Sequence, residues 1–281
     1  MCRLLAYAAV EKETVQSLLD STEFESFRAL ATLHSDGWGE SWLGEEASVP
    51  LRFNSVLSAA DDQEFVQHTA SNASSARMVH FRWATPGFPV RLENTHPFQA
   101  DEWTFAHNGA LKNPQRILAL LDDEHQARLH GDTDSELFFQ LIVQRISEMG
   151  DPEAGVRAAI SDVRTYCGVG SLNCLLLSAT VLVAVQAQGD APAPVASLQR
   201  AAGDTGVLPE GHDEKYYKLR YVVRGGAIII GSTGIAEKGW TDLGDDALII
   251  VDLSTKNVRI APLDQTYPAE SFDLRDSAAL T

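Results

Sequence analysis

The chain has 281 residues, with 22 lysines plus arginines against 39 aspartates plus glutamates and a formal charge of −17. So acidic a balance speaks against nucleic acid and against an anionic membrane surface, since both draw affinity from clustered cations. An apolar fraction of 44% beside a charged fraction of 22% matches a soluble globular protein with a substantial core.

At the N-terminus, residues 2–9 form an apolar run that predicts a buried strand, pinning a terminus that would otherwise fray. The run is too short for a signal-peptide core and meets Glu11-Lys12-Glu13 at once. No later stretch approaches the ~18 apolar residues of a membrane span, so a cytoplasmic protein is expected. Residues 17–33 carry Leu18, Leu19, Phe24, Phe27, Leu30 and Leu33 at helical steps, one or two amphipathic helices. His34 to Gly39 reads as a turn, followed by short strands at 40–43 and 51–53, a helix at 61–69 and a stronger strand at 77–84. Pro86-Gly87-Phe88-Pro89 interrupts the chain; 103–107 predicts a strand ending in the turn-forming pair Asn108-Gly109.

Thr133 and Glu136 have the spacing of a capping box, opening a helix that runs to Gly150, and Asp151-Pro152 starts another through about Tyr166. From Leu172 the pattern turns to near-continuous apolar strands at 172–179, 181–186, 218–223, 227–231, 247–251 and 258–261, as in sheets covered on both faces. Between them residues 189–214 read as a surface excursion, and the acidic stretch 264–281 as a mobile tail. No repeat or linker divides the chain, so residues 1–263 are expected to form one domain of two sheets with helices outside or between them.

Four elements can carry chemistry. Loss of the initiator Met would give Cys2 both a thiol and a free α-amine, whose ordinary pKa values near 8.5 and about 7.7 to 8.0 allow one residue to act as nucleophile and base. Taken alone, Cys2 reads equally as a small buried hydrophobe. Arg82, amid a strand that is otherwise apolar, needs an anion, either a protein carboxylate or a substrate's. Asn108 and Gly109 can aim a side-chain amide and a backbone N–H at an oxyanion, though Asn-Gly is also a common hairpin turn. Asp134 belongs to an acid-rich helix start, where it serves as cap or as ammonium binder.

His80, His96, His107 and nearby acids raise the question of a metal, but their spacing matches no compact ligand motif, and no cofactor is called for. His96-Pro97 reads as holding a loop. Three cysteines make no disulfide framework; Cys167 and Cys174 read as core thiols, and Trp38 and Trp240 as packing residues.

Together, Met1-Cys2, Asp36-Gly37-Trp38-Gly39, Arg82-Trp83-Ala84-Thr85, Asn94-Thr95-His96-Pro97, His107-Asn108-Gly109 and Thr133-Asp134-Ser135-Glu136 resemble the class II glutamine amidotransferases among the N-terminal nucleophile hydrolases. The likeness is strongest over about residues 1–140 and lies with the stand-alone members, the ergothioneine-pathway γ-glutamyl hydrolases among them. It implies an α+β fold, the four-layer αββα sandwich. It also implies Cys2 as nucleophile, Asn108 and Gly109 as oxyanion hole, Arg82 for the substrate carboxylate, Asp134 for its ammonium, and Trp83 and Thr85 lining the pocket. Pro86 stands where many relatives carry a histidine. The implied activity is hydrolysis of glutamine or a γ-glutamyl amide, a small-molecule substrate, through a thioester. Alternatives are an ammonia-donating subunit for a separate acceptor protein and a catalytically silent binding module. Oligomeric state is not legible.

Overall fold

Fourteen strand segments alternate with helices in the computed structural model, which describes residues 2–45, 47–85, 87–168, 170–203, 208–235, 239–264 and 269–277. Met1 and Pro86, on which two of the readings above bear, lie outside the described residues. The chain begins with β1 (Arg3–Glu13), α1 (Val15–Leu18), α2 (Ser21–Leu30), β2 (Trp38–Trp42), β3 (Leu51–Ser55), α3 (Gln63–Ser71) and β4 (Ser74–Phe81). It continues through β5 (Phe98–Ala100), β6 (Trp103–Ala110), α4 (Gln115–Leu118), α5 (Asp123–Ala127), α6 (Asp134–Met149) and α7 (Pro152–Asp162). After β7 (Ser171–Leu177), β8 (Val181–Gln186) and α8 (Val195–Ala201) come β9 (Leu219–Arg224), β10 (Ala227–Ser232), β11 (Thr241–Asp242), β12 (Ala247–Asp252), β13 (Asn257–Pro262), β14 (Glu270–Asp273) and α9 (Leu274–Ser277).

The strands make two seven-stranded sheets, in the orders β11-β9-β10-β1-β4-β2-β3 and β14-β13-β12-β8-β7-β6-β5. Alternation along each strand sorts side chains to opposite faces. From β1, Leu4, Ala6 and Ala8 pack between the sheets against Ala106, Leu175 and Leu182. Leu5, Tyr7 and Ala9 point the other way, onto Phe27 and Leu30 of α2 and Phe65 of α3. On the far sheet Phe105, Cys174 and Leu176 face outward to Phe138 and Ile142 of α6 and Val156 and Ile160 of α7. Helices, sheet, sheet, helices is the expected αββα order. Each fully buried Leu, Ile or Phe contributes about 1.5–3 kcal/mol of apolar transfer, which is why the inward faces of the outer helices and the middle layer are mainly apolar.

Local signals explain the helix ends. Thr133 caps α6 by accepting the Glu136 N–H at 3.2 Å. The Glu136 carboxylate does not complete a capping box; it accepts the His130 and Gly131 N–H groups at 2.9 and 2.7 Å, fastening the loop before the helix. Gly150 closes α6 in the left-handed region at φ 65°, and Asp151 with Pro152 restarts the chain as α7.

Four expectations are corrected. Asn108-Gly109 is no turn: β6 continues through Ala110, paired with β7 as far as Ser171. Arg82 is not mid-strand but one residue beyond the end of β4. Residues 189–214 do not simply run over the surface: Leu198 and His212 are buried, because this segment folds back over Trp83 and the start of β1. Part of the stretch read as a mobile tail is ordered, since β14 pairs with β13 from Asn257↔Asp273 to Ile260↔Glu270, and Leu274 of α9 enters the inter-sheet core.

Candidate active site

Cys2 stands immediately before β1 and is 7% exposed. Its backbone N–H donates to Asn108 Oδ1 at 2.8 Å, its carbonyl accepts from Arg3 Nε at 2.8 Å and from the Tyr216 hydroxyl at 3.4 Å, and its Sγ lies 4.0 Å from the Trp83 carbonyl. Neighbours on both sheets therefore hold this residue. The Arg3 guanidinium is fully buried, stacked 3.7 Å over the Tyr216 ring and donating to the carbonyls of Thr233 and Tyr216 at 3.2 and 3.1 Å. Burial works against a thiolate at Cys2, but positive charge from the chain terminus and from His80 outweighs it and draws the thiol down to about 6.

Asn108 is completely buried on β6. With Oδ1 committed to the Cys2 N–H, its Nδ2 is left without a hydrogen-bond partner among the described residues. An unpaired buried amide donor costs about 1–3 kcal/mol, and a developing oxyanion is the group that would relieve it. Only glycine fits at 109: a Cβ there would overlap the Ser171 carbonyl oxygen on β7 and lie 2.5 Å from His107 Nε2. The backbone therefore stays flat against β7 while Gly109 lines the cleft. His107 itself is spoken for, with Nδ1 2.8 Å from Ser135 Oγ and Nε2 2.9 Å from the Ser171 carbonyl.

Arg82 is 3% exposed, yet among the described residues no carboxylate lies within ion-pair distance of it. Its partners are carbonyls, Asp36 at 3.5 Å and Pro89 at 3.2 Å. Desolvation lowers the guanidinium's pKa, countered by Cys2 and Asp36. A structural ion pair, the alternative use of this arginine, is thus absent, and the cation faces a cleft. Asp134, the first residue of α6, uses one oxygen to accept the Leu111 N–H at 2.7 Å and leaves the other to the same cleft. The cleft brings together Cys2, Arg82, Trp83, Thr85, Gly109 and Asp134 around an enclosed space of about 30 Å³. That is room for about one water molecule, well below the usual ligand cavity. A fixed cation and a fixed anion on one cleft match the two charges of an amino-acid head group.

The model of the class-II glutamine amidotransferases matches residues 1–200. The chain belongs to that family. The chain is 23% identical over 272 residues to the γ-glutamyl-hercynylcysteine sulfoxide hydrolase of Mycobacterium tuberculosis, a match covering 94% of this chain and 98% of that one. Identity to glutamine–fructose-6-phosphate aminotransferase (isomerizing) of Shouchella clausii is 37% over 102 residues, 36% of this chain and 16% of that enzyme; a Haemophilus influenzae relative aligns at 36% over 124 residues, 40% of its length. The amidotransferase chain thus spans less than half of those two relatives. Among solved structures, a class-II domain protein from Silicibacter pomeroyi superposes with a TM-score of 0.60 at 17% identity, covering 97% of this chain and 99% of that one. The phosphoribosylpyrophosphate amidotransferase of B. subtilis gives 0.62 at 14% identity, covering 97% and 49%. At these identities the structures speak for the fold alone.

Some residues of the cleft were given no role in the sequence reading. Asp36 accepts the Ala84 N–H at 2.7 Å and exchanges backbone bonds with Arg82 through Asp36 N and Gly37 O, so the Asp-Gly turn sets the arginine's path. Phe88 and Asn94 line the cleft, and Arg3 and Tyr216 clamp the nucleophile's carbonyl. A charged residue directly after Cys2 in an apolar strand was the available signal for Arg3. Cys167 and Cys174 are core thiols facing α6 and α7, and Trp38 is packed with its indole N–H on Asp62 at 2.8 Å. Among the described residues no group of histidines, cysteines and acids is arranged to hold a metal ion.

Proposed function

We propose that this amidotransferase hydrolyses a γ-glutamyl amide, glutamine or a larger γ-glutamyl conjugate, with Cys2 as nucleophile. The observation that carries the reading is that a buried Arg82, with no ion-pair partner among the described residues, lines the same cleft as the Cys2 thiol, next to an Asn108 amide that holds the Cys2 N–H and leaves its Nδ2 unpaired. Arg82 takes the substrate α-carboxylate as a fork, and Asp134 takes the α-ammonium. Trp83 and Thr85 flank the side chain between them. The thiolate adds to the γ-carbonyl carbon, and the oxyanion is met by Asn108 Nδ2 and the Gly109 N–H. With Met1 removed, the α-amine of Cys2 carries a proton to the leaving nitrogen, giving a γ-glutamyl thioester that water hydrolyses to glutamate.

Near end-to-end alignment with a γ-glutamyl conjugate hydrolase, against partial alignment with a synthase, supports hydrolysis within one domain over ammonia donation to a separate acceptor. Free cysteines support a reducing compartment such as the cytoplasm. The test is glutamate release from glutamine and a panel of γ-glutamyl amides by the wild-type chain and Cys2→Ala, with intact mass establishing the N-terminus. Turnover confined to wild type, in a variant that melts normally, is the expected result. Comparable turnover by Cys2→Ala, or none by a wild-type chain beginning at Cys2, would overturn the proposal.

A further inference from the structure

We propose that His80 is the positioning residue for the Cys2 thiol, facing it from the neighbouring strand and taking up its proton, with the tilted His96 ring packed behind it to fix its orientation. The inference rests on Cys2 being the nucleophile and goes beyond the α-amine as sole proton carrier.

Strand register places the pair. Leu4 and His80 are direct partners across β1 and β4. Side chains two residues apart share a face, so Cys2 projects with Leu4 toward the gap between the sheets, a diagonal cross-strand neighbour of His80. His96 closes that gap, its ring centroid 4.4 Å from that of His80 at an interplanar angle of 42°. The loop bearing His96 approaches this closely because residue 39 is glycine: a Cβ there would overlap the His96 carbonyl oxygen and touch Pro97 at 3.0 Å.

Hydrogen bonding then separates this pair from an ordinary core histidine. His80 is wholly buried and His96 nearly so, and among the described residues none of their ring nitrogens has a partner at hydrogen-bond geometry, the Cys2 thiol being the group that His80 acts on. Buried imidazole nitrogens are normally satisfied, as both nitrogens of His107 are in the same cleft. Orphaned nitrogens facing a nucleophile are thus groups waiting for a proton. Burial holds His96 well below its ordinary range, so that ring stays neutral and an incoming proton goes to His80. In the step, the S–H bond breaks, its electron pair remains on sulfur, and an N–H bond forms on His80. The thiolate–imidazolium pair conserves charge and leaves the α-amine free for the departing nitrogen.

Other charged or titratable groups about the thiol are the chain-terminal amine, Arg82 opposite it, His107 and Asp134 across the cleft, and Arg3 with Tyr216 and Tyr217 behind it. They are common to wild type and variant, so substituting His80 isolates its share. The experiment follows the rate of Cys2 carbamidomethylation by iodoacetamide from pH 5 to 9 in the full chain, located by mass spectrometry, with Cys2→Ser as blank. Wild type is expected to reach half-maximal rate near pH 6, and His80→Gln to need about 1 to 3 pH units more, the usual effect of an adjacent opposite charge. Coincident midpoints would overturn the proposal. If His80→Gln fails to fold, His80→Asn takes its place in the same assay, and a midpoint coincident with that of wild type refutes the pairing. This readout uses no γ-glutamyl substrate, so a chain that shows the shift but releases no glutamate fails the functional reading alone.

Discussion

Replacing Arg82 by glutamine separates a binding arginine from a structural one, because the two uses move activity and stability differently. In the folded chain the guanidinium is 3% exposed, bonded to two carbonyls at 3.2 and 3.5 Å, and has no carboxylate within ion-pair distance among the described residues. Burial penalises that charge, as its lowered pKa records, and the Cys2 thiolate and Asp36 return only part of the loss. Arg82→Gln removes the penalty and keeps an N–H donor for the Pro89 carbonyl, so the melting temperature is expected to hold or to rise by a few degrees. Activity should behave otherwise. Losing one partner of a desolvated, hydrogen-bonded charge pair costs about 2 to 5 kcal/mol, which at 1.36 kcal/mol per decade is a fall of roughly 30- to 5,000-fold in kcat/KM. The substrate carboxylate is held alike in the ground and transition states, so the loss should appear chiefly in KM. Steady-state glutamate release and a thermal melt in one buffer measure both quantities. An unchanged KM, or a melting temperature depressed by several degrees alongside activity, would show that the arginine serves the fold.

Three further expectations follow from the same geometry. Asn108→Ala removes the unpartnered Nδ2 and should lower kcat by about a hundred- to a thousandfold, the usual cost of one oxyanion donor; a fall under tenfold would place the oxyanion elsewhere. Asp134→Asn should raise KM for an α-amino substrate and leave KM for its des-amino analogue unchanged, and a parallel rise for both would assign Asp134 to holding the Leu111 N–H alone. With the thiol drawn down to about 6, the protonated, unreactive form dominates below that value, so kcat/KM should rise about tenfold per pH unit below pH 6 and level off above it; a rise continuing to pH 8 would mean an unperturbed thiol.

Much of this arrangement was legible in the chain because the residues are chemically out of place where they stand. An arginine, an asparagine and a cysteine in apolar surroundings each demand a partner; in the folded protein Arg82 finds only carbonyls, and Asn108 Nδ2 has no partner among the described residues. Near-continuous apolar runs likewise marked β1, β8 and β12, and the start at Thr133 with the stop at Gly150 marked α6, because their burial is set by their own sequence. What stayed hidden depends on contacts across long separations. Asn108-Gly109 carries the local code of a hairpin, yet β7 overrides it by pairing along Gly109 with no room for a side chain. Glu270–Asp273 has no strand signature, and pairs only because β13 offers an edge. The role of His80 follows from the register Leu4↔His80, which joins residues 76 positions apart, and from Gly39 admitting the His96 loop between the sheets. No periodicity within either segment encodes that meeting. A glycine at 39 therefore contributes to the reactivity of a cysteine at 2 without touching it, by deciding how closely the second imidazole can back the first.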